Sequence, residues 1–129
     1  GVYGGKDWRC YESPSVNIGG QTLGFYVKTE SGTTYYTTLT SLDPVATVGD
    51  VEYTSFEAAY AAANGQFVTL LADMYLDALA MSQDLYLDLN GHSFEVLETT
   101  GSCHVVVLIL LGQRFFKRLE AVNLNAAYF

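Results

Sequence analysis

Three aspartates, Asp73, Asp84 and Asp88, are the residues whose type and spacing could support catalysis. Glycoside hydrolases use a pair of carboxylates, and calcium-dependent polysaccharide lyases use carboxylates as metal ligands. Along residues 84–89, however, polar residues alternate strictly with leucines. That alternation predicts a strand with one solvated face, and no basic residue lies within it to act as a lyase base. We therefore expect no catalytic residue and no enzymatic activity in this chain.

The two histidines lie beside groups that could assist them. His92 follows Asp88 by four residues, a spacing that would allow an acid–base dyad. It also follows Asn90 and Gly91 directly, and a histidine at such a bend is more typical of a turn that bonds nearby backbone. His104 adjoins Cys103, but no Asn or Asp pattern accompanies them to support a thiol nucleophile.

The two cysteines, Cys10 and Cys103, are far apart in the sequence and form no C-x-x-C motif. We expect two unpaired thiols, although a disulfide closing so long a loop would contribute about 4–5 kcal/mol. A zinc site lacks a second pair of ligands. Because no phosphate-binding or dinucleotide motif is present either, we expect no metal and no cofactor.

Several tyrosines could contact sugars, since a tyrosine combines an aromatic face with a polar tip. Tyr35 and Tyr36 are adjacent, and Tyr75 and Tyr86 lie in strand-like segments. Tyrosines on strands more often pack and pair across strands. If the chain contacts glycans, the sequence favours four residues for that contact: Tyr75, Tyr86, Asp88 and His92.

One helix is clearly signalled among the elements that must position these residues. Thr54 and Glu57 have the spacing of a capping box, an Ala-rich run follows, and Asn64-Gly65 supplies a left-handed stop. The pattern predicts a helix over Ser55–Ala63 that caps one end of a strand stack. Its buried face consists of residues at helical spacing: Phe56, Ala59, Tyr60 and Ala63.

The residues after this helix change to a period of two. Leu85, Leu87 and Leu89 should point into a core, whereas the next apolar positions, Phe94 and Val96, have the opposite parity. The chain should therefore bend or bulge near Asn90-Gly91. A strand is also expected at 67–71, and a wholly apolar one at 105–111.

A weak repeat of 19 residues relates these strands, because Val68 recurs as Leu87 and again as Val106. A constant offset of this kind is expected when each turn of a solenoid returns above the last one. The alternative is an antiparallel β-sandwich or meander, in which Asn90-Gly91 forms the type I′ turn of a hairpin.

Residues 51–96 resemble a pattern found in Gram-positive bacterial surface proteins. The matching pieces are the Ala-rich helix of residues 53–65, the strand of 68–73, and the sequence Leu-Asp-Leu-Asn-Gly-His of residues 87–92. In that group the helix caps the first coil of a pectate-lyase-like, right-handed parallel β-helix. The resemblance implies a mainly β solenoid with one short capping helix, from a secreted or cell-wall protein. It also implies an extracellular or cell-surface location.

Composition restricts the partners of the chain. Acidic residues outnumber basic ones by 14 to 6, which gives a net charge of −8. Such a chain repels phosphate backbones, so we expect no nucleic-acid partner. The longest apolar run, 105–111, is far shorter than the roughly 20 residues of a spanning helix, so we expect no membrane insertion.

The chain divides by pattern into three segments. Residues 1–45 are β-rich and end near Asp43-Pro44, and residues 46–112 hold the helix and the first coils. Residues 113–129 form an atypical basic tail, with Phe115, Phe116, Leu119 and Val122 at roughly helical spacing. This tail is either a native cap or altered sequence. Because the chain opens without Met or a leader, we expect a processed product or a fragment.

Two functions remain compatible with the sequence. The first is a non-catalytic structural or adhesive module of a secreted or surface protein, which contacts an extracellular polysaccharide or a host or cell-wall surface. The second is the N-terminal part of a polysaccharide lyase or glycoside hydrolase whose catalytic coils lie beyond residue 129. The absence of a catalytic constellation favours the first.

Overall fold

The computed structural model describes the backbone of residues 8–108, 114–117 and 123–128, and side chains within 8–11 and 16–108. The described residues form one helix and thirteen strands. In chain order these are β1 (Arg9–Ile18), β2 (Gln21–Glu30), β3 (Thr33–Tyr36), β4 (Thr40–Ser41), β5 (Ala46–Val48), β6 (Val51–Tyr53), α1 (Phe56–Ala63), β7 (Phe67–Leu70), β8 (Asp73–Ala80), β9 (Leu85–Asp88), β10 (Ser93–Thr100), β11 (His104–Leu108), β12 (Arg114–Lys117) and β13 (Asn123–Tyr128).

The strands form two mixed sheets. Sheet A has the order β12-β10-β8-β1-β2-β3, with β4 also paired to β2, and sheet B has the order β13-β11-β9-β7-β5-β6. Strands β1–β4 pair antiparallel within sheet A, and β5 pairs antiparallel with both β6 and β7. From β7 onward, successive strands alternate between the sheets and pair in parallel within each one.

The prediction of a right-handed parallel β-helix is wrong. The two sheets are open and mixed, and this architecture fits the alternative, a β-sandwich, better than a pectate-lyase-like solenoid. The reason lies in tight reversals early in the chain. Gly19 and Gly20 have φ of +60° and +84°, and Ser31 and Gly32 have φ of +52° and +81°. Paired left-handed residues of this kind turn a strand back onto its neighbour, which produces antiparallel hairpins.

The predicted register of β9 is confirmed. Leu85, Leu87 and Leu89 are at most 1% exposed, whereas Asp84 is exposed and Tyr86 and Asp88 are half-buried. The repeat is confirmed in part. Val68 pairs with Leu87, 19 residues on, but the next partner in register is Val107 rather than Val106.

The predicted bend at Asn90-Gly91 is also confirmed. Both residues have positive φ, +48° and +82°, and the His92 amide donates to the Leu89 carbonyl at 2.9 Å. The Asp88 carboxylate accepts a hydrogen bond from the Asn90 amide at 3.0 Å, which fixes the entry to the turn. The turn joins β9 of sheet B to β10 of sheet A, so it is not the hairpin turn that the alternative assumed.

The helix forms as predicted, with a different cap. Ser55 rather than Thr54 is the N-cap, and its side chain accepts a hydrogen bond from the Ala58 amide at 3.0 Å. Asn64 ends the helix with φ of +46°. The four predicted face residues are buried, and Phe56 is less exposed than Tyr60, at 0% against 4%.

This helix packs against β5, β6 and β7 of sheet B, and the ring of Phe56 contacts sheet A. The ring of Phe56 lies 4.8 Å from that of Phe94, between centroids. The Tyr60 hydroxyl accepts from the amides of Ser82 and Gln83, at 3.2 and 3.0 Å, and donates to the Gln83 carbonyl. The helix therefore ties the two sheets and the loop before β9 together.

Each of the three segments defined by the sequence pattern pairs with a neighbouring segment in a common sheet. Strand β1 pairs in parallel with β8, so the N-terminal hairpins continue the same sheet. In the tail, β12 pairs with β10 and β13 with β11, so residues 114–117 are a strand and not part of a helix. The predicted helical positions Leu119 and Val122 lie outside the described residues. Cys10 and Cys103 form no disulfide bond with each other, as expected.

Candidate functional site

The four residues predicted for glycan contact do not form one site. Tyr86 and Asp88 lie on the outer face of sheet B, two residues apart on β9. Tyr75 lies on the outer face of sheet A, between the buried residues Met74 and Leu76. His92 follows the turn that connects the two sheets. The structure therefore presents two separate outer faces for consideration.

On sheet B, Phe67, Tyr86 and Val106 are in register on β7, β9 and β11 and form an apolar row across the strands. We call this row the sheet B strip. Phe67 is 41% exposed, and the other two side chains are half-buried. The rings of Phe67 and Tyr86 meet edge to face, with centroids 5.7 Å apart. The strip is thus a shallow aromatic surface that is open to solvent.

Polar side chains border the sheet B strip on both sides. On one side are Asp84 and His104. The Asp84 Oδ1 atom accepts a hydrogen bond from the His104 amide at 2.9 Å and lies 3.7 Å from His104 Nδ1. Both side chains are 47% exposed. On the other side, Thr69 and Asp88 are paired in register. Hydrogen-bonding groups therefore flank the aromatic pair along its length.

On sheet A, three aromatic rings form a stacked row across β2, β1 and β8. The Tyr11 ring lies parallel to that of Phe25, at 4.6 Å, and to that of Tyr75, at 5.3 Å. Tyr36 meets the row edge-on, with its centroid 5.4 Å from that of Phe25, and is 60% exposed. The predicted residue Tyr75 therefore packs against its neighbours, and among the described aromatic side chains of this face Tyr36 is the most open to solvent.

Charged residues hold this row in place. Arg9 forms an ion pair with Glu95, and its guanidinium lies 5.1 Å from the centroid of the Tyr75 ring. The Tyr11 hydroxyl donates to the Asp77 carboxylate. Burial raises the pKa of Tyr11 above its ordinary value, and the hydrogen bond to Asp77 and its charge raise this pKa further. Tyr11 is therefore a neutral donor at physiological pH.

His92 pairs with Asp73 and not with Asp88. Its Nδ1 lies 3.3 Å from Asp73 Oδ1, and the same oxygen accepts from the Ser93 amide at 2.9 Å. The Asp73 side chain is 7% exposed. A buried carboxylate that satisfies a backbone amide at the start of β10 has a structural role, so we assign His92 to the turn rather than to a ligand surface.

Sequence reasoning missed Phe67 on sheet B, and it missed Arg9, Tyr11 and Phe25 on sheet A. Phe67 could have been found, because it has the opposite parity to Val68 and Leu70, which are 0% exposed. The sheet A residues carry no comparable local signal, since their grouping depends on which strand pairs with β1.

Among the described side chains, no three His, Cys, Asp or Glu residues are grouped so that they could hold a metal ion. Within the same part of the chain, no helix has the length and apolar character needed to cross a membrane.

Comparisons of this chain with protein-family models, with curated proteins and with solved structures find no match. The resemblance of residues 51–96 to Gram-positive surface proteins therefore stays a prediction from the motif.

Proposed function

We propose that this chain is a non-catalytic binding module of a secreted or surface protein from a bacterium, and that its sheet B strip contacts an uncharged polysaccharide. The observation that carries the proposal is the layout of that face. An aromatic pair, Phe67 at 41% exposed and the half-buried Tyr86, lies in one row, and carboxylates or hydroxyls lie in the rows on either side.

A sugar chain matches this layout in two respects. The flat side of a pyranose ring presents C–H groups, and these are attracted to the electron-rich face of an aromatic ring. The hydroxyl groups around the pyranose ring need hydrogen-bond partners once water is displaced. Asp84 on one side and Thr69 and Asp88 on the other offer such partners.

Charge selects among polysaccharides. The chain carries a net charge of −8, and two carboxylates, Asp84 and Asp88, border the strip. Polyuronates and other acidic glycans would be repelled, because like charges brought together at a contact surface raise the free energy of the complex. An uncharged chain is not repelled in this way.

The shape of the strip sets the expected strength of binding. The strip is a surface row and buries little of a ligand, so a single contact should be weak, with a Kd of about 1 mM, or about −4 kcal/mol. Repeated sugar units along one polysaccharide, or several modules on one surface, would raise the effective affinity. Weak contacts that act together are suited to adhesion.

Affinity gel electrophoresis tests the proposal with hydroxyethylcellulose, xyloglucan and galactomannan as uncharged polymers and polygalacturonate as the acidic one. At least one uncharged polymer should retard the protein, and polygalacturonate should not. Replacing Tyr86 with Ala should weaken that retardation about fivefold, because an aromatic contact contributes about 1 kcal/mol. Tyr86→Phe, which keeps the ring, should stay within about twofold of the original protein.

A matched control is Val51→Ala on β6 of the same sheet, because Val51 is 54% exposed and lies away from the strip. This variant should bind as the original protein does. The proposal is wrong if no uncharged polymer retards the protein, or if Tyr86→Ala and Val51→Ala behave alike while both remain folded by circular dichroism.

A further inference from the structure

The outer face of sheet A carries a second group of exposed apolar and polar side chains, remote from the sheet B strip. Tyr36 on β3 is 60% exposed and Leu97 on β10 is 42% exposed. Between them lies the stacked row of Phe25, Tyr11 and Tyr75. Large apolar side chains grouped at a surface and surrounded by polar ones mark contact sites in soluble proteins.

The row is held rigidly. Tyr11 is fixed by stacking on two sides and by its hydrogen bond to Asp77, and Arg9 is fixed by Glu95 and by the Tyr75 ring. Side chains that are already ordered lose little conformational entropy when a ligand binds. Binding to this face would therefore cost less conformational entropy than binding to a set of mobile side chains.

The two faces point in opposite directions. Buried residues of both sheets, such as Met74 and Phe94 from sheet A and Leu87 and Val107 from sheet B, belong to one hydrophobic core between them. Side chains that alternate with these residues must point away from that core on each side. A ligand on sheet A consequently leaves the sheet B strip free for another ligand.

We propose that the outer face of sheet A, centred on Tyr36, is a second contact surface for uncharged polysaccharide, so that one molecule of this protein bridges two polysaccharide chains. The inference rests on the proposed function of sheet B. The charges of the described side chains at the row favour the same class of ligand, because the cation Arg9 is paired with Glu95, and Asp77 adds a negative charge. An acidic polymer would meet repulsion on this face also.

Titration calorimetry and NMR with cellohexaose and mannohexaose test the number of surfaces. The original protein should bind two oligosaccharides per chain. Tyr36→Ala and Tyr86→Ala should each weaken binding about fivefold at the altered face and leave the affinity of the other face unchanged, and the double variant should weaken binding at both faces. Tyr36→Leu, which keeps an apolar side chain on the edge strand but removes the ring, should repeat the Tyr36→Ala result if loss of the ring is the cause.

Bridging is measured by light scattering of xyloglucan or galactomannan mixed with the protein. Scattering should pass through a maximum at an intermediate ratio of protein to polymer, and either single variant should lower that maximum.

If Tyr36→Ala leaves the affinity of the sheet A face unchanged, or if Tyr86→Ala weakens all binding of the protein, the second surface is refuted while the proposed function of sheet B stands. If Tyr36→Ala weakens all binding and Tyr86→Ala leaves it unchanged, both proposals are refuted. Self-association of the protein without polymer that Tyr36→Ala abolishes would refute the second surface as well, because sheet A would then be an interface between copies.

Discussion

Replacing Thr99 with Val should stabilise the protein. Thr99 lies on β10, in register with the buried Leu79 of β8, and is 7% exposed. Within the described part of the chain, its Oγ1 is a buried polar atom without a hydrogen-bond partner. A hydroxyl buried in this way costs about 1–3 kcal/mol, and valine replaces it with a methyl group of similar shape.

The expected gain in the free energy of unfolding is about 1 kcal/mol, which corresponds to a rise in Tm of about 3–5 °C for a domain of this size. Urea denaturation followed by circular dichroism measures the free energy, and calorimetry measures Tm. The matched control is Thr100→Val, because the adjacent Thr100 is exposed. This change should alter the free energy by less than about 0.5 kcal/mol.

A loss of stability in Thr99→Val would refute the reasoning. It would mean that the hydroxyl makes a hydrogen bond whose value exceeds the cost of burying it. A gain of equal size in both variants would also refute it, because the cause would then be the higher strand propensity of valine and not the removal of an unpaired hydroxyl.

Two other substitutions test the packing that supports both outer faces. Leu87→Ala should lower the free energy of unfolding by about 2–5 kcal/mol in urea denaturation, because Leu87 is 0% exposed between Val68 and Val107. A change of less than 1 kcal/mol would show that the register of β9 is wrong. Tyr60→Phe should cost about 1–3 kcal/mol, because it removes the hydroxyl that accepts from the Ser82 and Gln83 amides. If hydrogen exchange at those two amides stays unchanged, the helix does not anchor this loop.

The sequence predicted those parts of the fold that depend on neighbouring residues. The alternation around Leu87 and the left-handed residues Asn90 and Gly91 are local signals, and the structure confirms the register and the bend. The helix face is local as well, and a neighbouring hydroxyl, Ser55 rather than Thr54, provides its cap. The N-cap differs from the predicted one by a single residue, and the buried face of the helix is the same in both cases.

The architecture could not be obtained in this way. A repeat of 19–20 residues relates strands that pair within each sheet, and it was interpreted as a solenoid. The repeat does not predict which strands extend each sheet beyond β7 and β8. The edge of sheet A beyond β8 is built by β1 and β2, which are joined by Gly19-Gly20. Strand β1 lies beside β8, where it pairs Arg9 with the sequence-distant Asp73.

The same distinction applies to the candidate site. Tyr86 and Asp88 share a face because they lie two residues apart on one strand, which the sequence shows directly. Tyr75 was selected for its residue type, and its surroundings depend on the distant residues Arg9 and Tyr11. Selection by residue type identified an aromatic side chain, but not whether its ring packs within the sheet or is open to a ligand.

The three aspartates that first suggested catalysis share a different use in the structure. Asp73 accepts from the Ser93 amide and Asp84 from the His104 amide, each 20 residues further along the chain, and Asp88 accepts from the Asn90 amide. Each carboxylate thus satisfies a backbone donor at the start of a strand or in a turn, where the sheet leaves it unpaired. These three acidic residues therefore stabilise strand ends and a turn, and their presence does not require catalysis on a substrate. The aromatic rows are not explained in this way, since Phe67 is 41% exposed and Tyr36 is 60% exposed, and it is these rows that we assign to binding.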